Sequence, residues 1–291
     1  MIEMVDLELF IEPGASLLLT RVNDFLAERG VRSYLVGGFV RDVLLKRDTA
    51  DIDIAIGADA LEIVPELAMA LGGRYVLLDE VNRVGRVVLV NEGGSRWELD
   101  FSSFNGDIEH DLARRDFTID AMAVDLGNIV YQPHPLTPSP SKEKRDEAPL
   151  TLPIIDPFGG WDDLHRSVIR AVSETTFQSD AARLLRAVRL VAEYGFTLEE
   201  RTESLIQSQS HLLCQAAGER VREELCRLLA LPQAASWLRY LDQLGLLMTI
   251  FAELIQTKGV EQPREHFWDV FNHSIETVAA VECLLRIEAM D

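Results

Sequence analysis

Apolar residues recur along this chain at two spacings, and the change from one to the other divides it. From Leu17 to Gly30 they fall at helical spacing and stop at a glycine, which predicts a helix. Tyr34, Leu35 and Val36 form a short apolar run halted by Gly37 and Gly38, a predicted strand entering a glycine turn. Phe39, Val40, Val43 and Leu44 predict a helix as far as Arg47, and DIDIAI, from Asp51 to Ile56, alternates with the period of a strand. A helix over residues 62–71 and strands over 75–78 and 86–90 follow. Trp97, Leu99 and Phe101 then alternate with Glu98 and Asp100, giving one more strand. Residues 132–153 carry proline and charge without period and predict a mobile surface insertion. Beyond Ile169 strand signals stop, and residues 180–194, 219–229 and 234–247 all show helical spacing. The expected fold class is therefore α+β, a mixed α/β N-terminal part followed by an all-helical one.

Charge complicates any nucleic-acid role. Among 291 residues, 48 acids against 28 bases give a formal charge of −20, opposite to the basic footprint of a nucleic-acid binder. Between Arg166 and Arg227, however, nine arginines meet nine acids, so this helical stretch is neutral and is the expected phosphate-facing surface. Cys214, Cys226 and Cys283 lie in apolar helical stretches without zinc spacing and read as reduced core thiols. No run approaches 18 apolar residues and the start is acidic, so neither membrane insertion nor export is expected, and a cytoplasmic location is.

Candidate chemistry begins at Asp51 and Asp53. A strand puts both on one face while Ile52, Ile54 and Ile56 enter the core. Two carboxylates forced together need a cation, and all-oxygen ligation favours Mg²⁺; the alternative is a solvated strand face. Upstream, Gly37 and Gly38 present side-chain-free amides before a helix, a phosphate cradle or simply a tight turn. Arg41 and Asp42 are expected in the first helical turn, Arg41 forking onto a triphosphate and Asp42 complementing the helix N-terminus. Asp100 offers a third carboxylate for a site of two divalent ions, with Glu98 as its rival.

These residues carry a resemblance. LVGGFVRDVLLKRDTADIDIAI, DLARRDFTIDAMA, DPFGGWDDLHRSVIRAV, FQSDAARLLRAVRLVAEYGF and ERVREELCRLL resemble, in the same order, the motifs of class II tRNA CCA-end nucleotidyltransferases and bacterial poly(A) polymerases, of the DNA polymerase β superfamily. The resemblance runs from about Tyr34 to Leu254. It implies a template-independent transfer of CMP or AMP from CTP or ATP to an RNA 3′ end, that of tRNA above all, with release of pyrophosphate. It assigns two Mg²⁺ ions to Asp51, Asp53 and Asp100, the triphosphate to Gly37, Gly38 and Arg41, and the ribose to Arg115 and Asp116. Asp180, Arg183 and Arg186 become the nucleotide-reading set. Asp180 and Arg183, three apart on one helix face, offer an acceptor and a forked donor to a base edge, or else merely pair with each other. Implied too are a nucleotidyltransferase head (1–168), a helical neck (169–231) and a body with the start of an HD-type domain (232–291).

Two positions depart from the family pattern. Ser179 stands in place of a glutamate and reads as a helix cap, and Asp120 replaces an asparagine; either change is expected to loosen nucleotide selection or local packing. In the final stretch, His266, Asp269 and His273 resemble the entry helix of an HD-type domain; the one His-Asp doublet, His110-Asp111, lies far upstream and not after them, so the stretch reads as part of a longer chain. Competing functions are poly(A) synthesis, CC-only or A-only addition, a non-catalytic RNA-binding module, and a phosphohydrolase built on those histidines.

Overall fold

The structure is a computed structural model that describes residues 4–9, 13–47, 49, 51–90, 96–129, 150–263 and 267–288. The elements of the first unit are β1 (Met4–Leu9), α1 (Pro13–Ala27), β2 (Ser33–Val36), α2 (Gly37–Leu44), β3 (Asp51–Ile56), α3 (Ala60–Leu71), β4 (Arg74–Asp79), β5 (Val84–Val90), β6 (Arg96–Ser103), α4 (Ile108–Leu112), β7 (Ala123–Asp125), β8 (Leu150–Ile155) and α5 (Gly160–His165). There follow β9 (Val168–Ile169), α6 (Thr176–Ser179), α7 (Arg183–Tyr194), β10 (Thr197–Leu198), α8 (Glu200–Gln209), α9 (Gly218–Leu229), α10 (Ala234–Gln243), α11 (Leu246–Ile250) and α12 (Val270–Glu288). The chain forms two compact units, residues 1–162 and 163–291, with α5 straddling the boundary. This is the α+β class expected, a mixed sheet first and helices after.

In the first unit eight strands lie in the order β1-β8-β7-β2-β3-β6-β5-β4. β3 and β6 are parallel and every other neighbouring pair is antiparallel. Ile52, Ile54 and Ile56 of β3 and Leu99 and Phe101 of β6 sink into one core with Leu19, Val22 and Leu26 of α1 and Val64 and Leu67 of α3. α3 is closed at both ends: the Asp59 carboxylate accepts from the Leu61 amide at 3.0 Å, and Gly72 leaves the helix at φ +72°.

Several expectations change. The helix expected to follow the glycine pair begins on it, at Gly37, so Arg41 and Asp42 are its fifth and sixth residues and not its first turn. Residues 150–153, assigned to the insertion, belong to β8, which pairs with β1; the rest of the insertion, 132–149, lies outside the described residues. The second part is not wholly helical, since β9 and β10 form a short parallel pair. Its 234–247 helix is two, broken where Gly245 takes φ +77°. The cysteines are exposed, not core: in α9 the buried positions are Leu225 and Leu228, and Cys226 falls off that stripe. Among the described residues no helix is long and apolar enough to cross a membrane.

One contact closes the first unit. The buried Asp156 carboxylate accepts from the amides of Gly160 (2.8 Å) and Trp161 (2.9 Å), capping α5. A Cβ on Gly160 would stand 2.1 Å from the carbonyl oxygen of Thr118, a backbone atom that cannot swing aside. Gly160→Ala is therefore expected to cost about 1–3 kcal/mol, read as a lower denaturant midpoint of the first unit; an unchanged midpoint would show that this approach has slack.

Candidate active site

The parallel register of β3 and β6 builds the site. Asp53 lies opposite Asp100 and Asp51 opposite Glu98. Because the isoleucines and Leu99 and Phe101 occupy the buried face, all four acids share the other one. On the far side of β6, Arg86 of β5 is the register partner of Asp100. Its guanidinium donates to both oxygens of that carboxylate, Nε to Oδ1 at 2.6 Å and Nη2 to Oδ2 at 2.7 Å, while Nη1 donates to Glu98. Glu98 also receives Arg96 Nη2 at 2.5 Å. The bonds to Asp100 raise the Arg86 pKa further above its ordinary value.

Gly37 ends β2 beside this row. Its φ is +68°, which a side chain rarely adopts, and a Cβ there would lie 3.0 Å from Asp53 Oδ2 and 2.7 Å from Arg115 Nη1. The glycine turn, Asp53 and Arg115 are thus in immediate reach of one another, and a helix N-terminus opens at the same point. Arg115 is steadied by Asp111, whose Oδ2 accepts from Nε at 3.2 Å and Nη2 at 3.1 Å. Asp116 accepts from the Phe117 amide at 2.9 Å.

Arg41 is 5% exposed and braces the turn. Its Nε and Nη2 donate to Asp42 at 2.9 and 3.1 Å, and Nη1 to Asp120 at 2.5 Å. The fork expected on a triphosphate is here given to two carboxylates, and Asp42 answers Arg41 in place of the helix end. Asp120, 2% exposed, supplies the second anion of a buried charge-assisted cluster.

In the second unit, Asp180 is not on a helix. It is extended (φ −158°, ψ 103°) between α6 and α7, and its Oδ1 accepts from the Ala182 amide at 3.1 Å and from Arg220 Nη1 of α9 at 2.7 Å. Asp180 and Arg183 still approach to 3.7 Å. Ser179 caps nothing: its hydroxyl donates to the Thr176 carbonyl at 2.8 Å and accepts from Arg183 Nη1 at 3.1 Å. Arg186 lies half-buried in the next turn of α7. Of the C-terminal trio, His266 is outside the described residues. Asp269 accepts from the amides of Asn272 (2.7 Å) and Gly259 (2.8 Å), bonds that lower its pKa.

Sequence reasoning did not single out Arg86, Asp111 or Arg220. A lone cation in VGRVVLV, next to an acidic strand, was the available signal for the first; the four-residue spacing to Arg115 was the signal for the second. The donor set of the acid row is all oxygen and suits a hard divalent ion. Among the described residues no three acid, thiol or imidazole groups stand ready to hold one, and both oxygens of Asp100 are engaged by Arg86.

A family model described as the poly(A) polymerase head domain matches residues 33–92 and 89–170, and one described as the probable RNA and SrmB-binding site of polymerase A matches 195–257. A CC-adding tRNA nucleotidyltransferase of Geobacter sulfurreducens is 38% identical over 76% of this chain and 46% of its own. An A-adding tRNA nucleotidyltransferase of Deinococcus radiodurans is 35% identical over 84% of this chain and 50% of its own. The solved Thermotoga maritima CCA-adding enzyme complexed with tRNA is 31% identical with a TM-score of 0.69, covering 87% of this chain and 55% of that one. The chain thus spans about half the length of these relatives. With both models in the expected order and the acid row under the glycine turn, the chain belongs to the family of class II tRNA CCA-end nucleotidyltransferases and bacterial poly(A) polymerases, whose members use a divalent metal.

Proposed function

We propose that this chain carries the catalytic head and nucleotide-reading part of a template-independent RNA nucleotidyltransferase. It adds CMP, AMP or both, from CTP and ATP, to the 3′ end of tRNA, with residues 1–168 as head, 169–231 as neck and 232–291 as body. The observation that carries this reading is the register that sets Asp53 beside Asp100 on one sheet face, directly under the glycine turn.

Asp51, Asp53 and Asp100 are the residues to hold two Mg²⁺ ions. When bound, such ions lower the pKa of an attacking hydroxyl and neutralise charge on the leaving pyrophosphate. The chain's own groups do the rest. The amides of Gly37 and Gly38 receive phosphate oxygens at the start of α2, and Arg41, fixed by Asp42 and Asp120, keeps that turn in shape. Arg115, held by Asp111, directs its remaining donor toward the same place, and with Asp116 meets the ribose. Asp180 accepts from, and Arg183 donates to, the edge of the incoming base, with Arg186 one turn further on. The neutral arginine-bearing stretch takes the RNA backbone, so that binding weakens steeply with salt.

The relatives include CC-adding and A-adding enzymes, so the extent of addition is the open variable. Incubating the chain with tRNA lacking its last three nucleotides and one NTP at a time separates the cases. A stop after C, CC or A identifies an end-adding enzyme, a long A tract a poly(A) polymerase, and no extension with any NTP contradicts the proposal. Asp53→Asn is expected to abolish extension without changing the fold by circular dichroism. Arg183→Ala should lower the preference for CTP and ATP over UTP and GTP by roughly tenfold to a hundredfold, while single-nucleotide addition persists; unchanged selectivity would remove Arg183 from the reading role.

A further inference from the structure

We infer that Arg86 is a built-in counter-cation that competes with the divalent ion for Asp100 and withdraws onto Glu98 when the ion binds. The inference rests on the reading of Asp51, Asp53 and Asp100 as the metal-holding acids. Four carboxylates crowd one face of β3 and β6, and like charges abreast on neighbouring strands repel. The planar fork of Arg86 spans both oxygens of Asp100, at 2.6 and 2.7 Å, using the lone pairs that a chelating ion would use.

Arg86 has somewhere to go. Its third donor already bonds to Glu98, so releasing Asp100 leaves the guanidinium paired and not stranded. Glu98 is itself held in place by Arg96, and the Arg86 side chain is 28% exposed. The contest between Glu98 and Asp100 for the third-ligand role is thereby divided between them: Asp100 faces the ion, and Glu98 receives the displaced arginine.

The test is Mn²⁺ binding to the full chain without nucleotide, followed by the electron paramagnetic resonance of the free ion, for wild type, Arg86→Lys and Arg86→Gln, each with and without Asp53→Asn. Arg86→Lys keeps the charge and loses the fork. Both Arg86 variants are expected to bind Mn²⁺ about tenfold more tightly than wild type, the loss of roughly one charge-assisted hydrogen bond to the competitor, and Asp53→Asn is expected to abolish this binding in every background. Should Arg86→Lys bind like wild type, net charge alone is at work and the inference fails. Weaker binding by both variants makes Arg86 a support for the ligands and overturns it as well. Binding indifferent to Asp53→Asn refutes instead the metal-site reading, a distinct result. If Arg86→Gln does not fold, Arg86→Lys decides alone.

Discussion

Everything in the first unit depends on two acidic strands being held side by side in parallel. Left to electrostatics they would not stay so. What holds them is the opposite face: Ile52, Ile54, Ile56, Leu99 and Phe101 are all but fully buried. Each such side chain contributes about 1.5–3 kcal/mol by leaving water. A slip of one residue would turn those side chains outward and the carboxylates into the core. Hydrophobic burial therefore enforces a concentration of negative charge that no local preference would produce, and Arg86 and Arg96 offset part of the repulsion.

The arginines around this row differ in the work they do. Arg41 lies under the glycine turn with its donors given to Asp42 and Asp120, and a buried guanidinium so engaged makes a rigid floor. Among the described residues Arg115, 21% exposed, is anchored through Asp111, and its Nη1 faces Gly37. Arg86 stands between these cases, bound firmly but to groups with a second purpose. Three identical side chains thus differ as a buried brace, a group turned toward the glycine turn and a counter-charge, and only their surroundings distinguish them.

What could be read from the sequence followed from period. Strict alternation in DIDIAI and WELDF located both acidic strands and assigned inner and outer faces correctly. The breaks were harder. Helical spacing from Asp180 to Tyr194 hid the extended residue at Asp180, because Phe177 and Leu184 continue an apolar pattern across an interruption that hydrogen bonds, and not hydrophobicity, create. The edge strand β1 was invisible because its partner β8 lies some 145 positions later in the chain. Cys226 was misjudged by one step around α9, where an apolar neighbourhood in sequence is not an apolar side of the helix. Partners such as Arg86 and Arg220 appear only when strands and helices are brought together.

Asp180 has a last consequence. Its carboxylate is set by the amide of Ala182 on one side and by Arg220, forty positions away, on the other. The path between them runs from α7, which carries Arg183 and Arg186, through β10 and α8 to α9. That path acts as a ruler: a residue inserted or removed anywhere along it would shift the distant anchor out of step with the acid it steadies. Beyond Arg183 and Arg186, length more than side-chain identity is what this intervening stretch is bound to preserve.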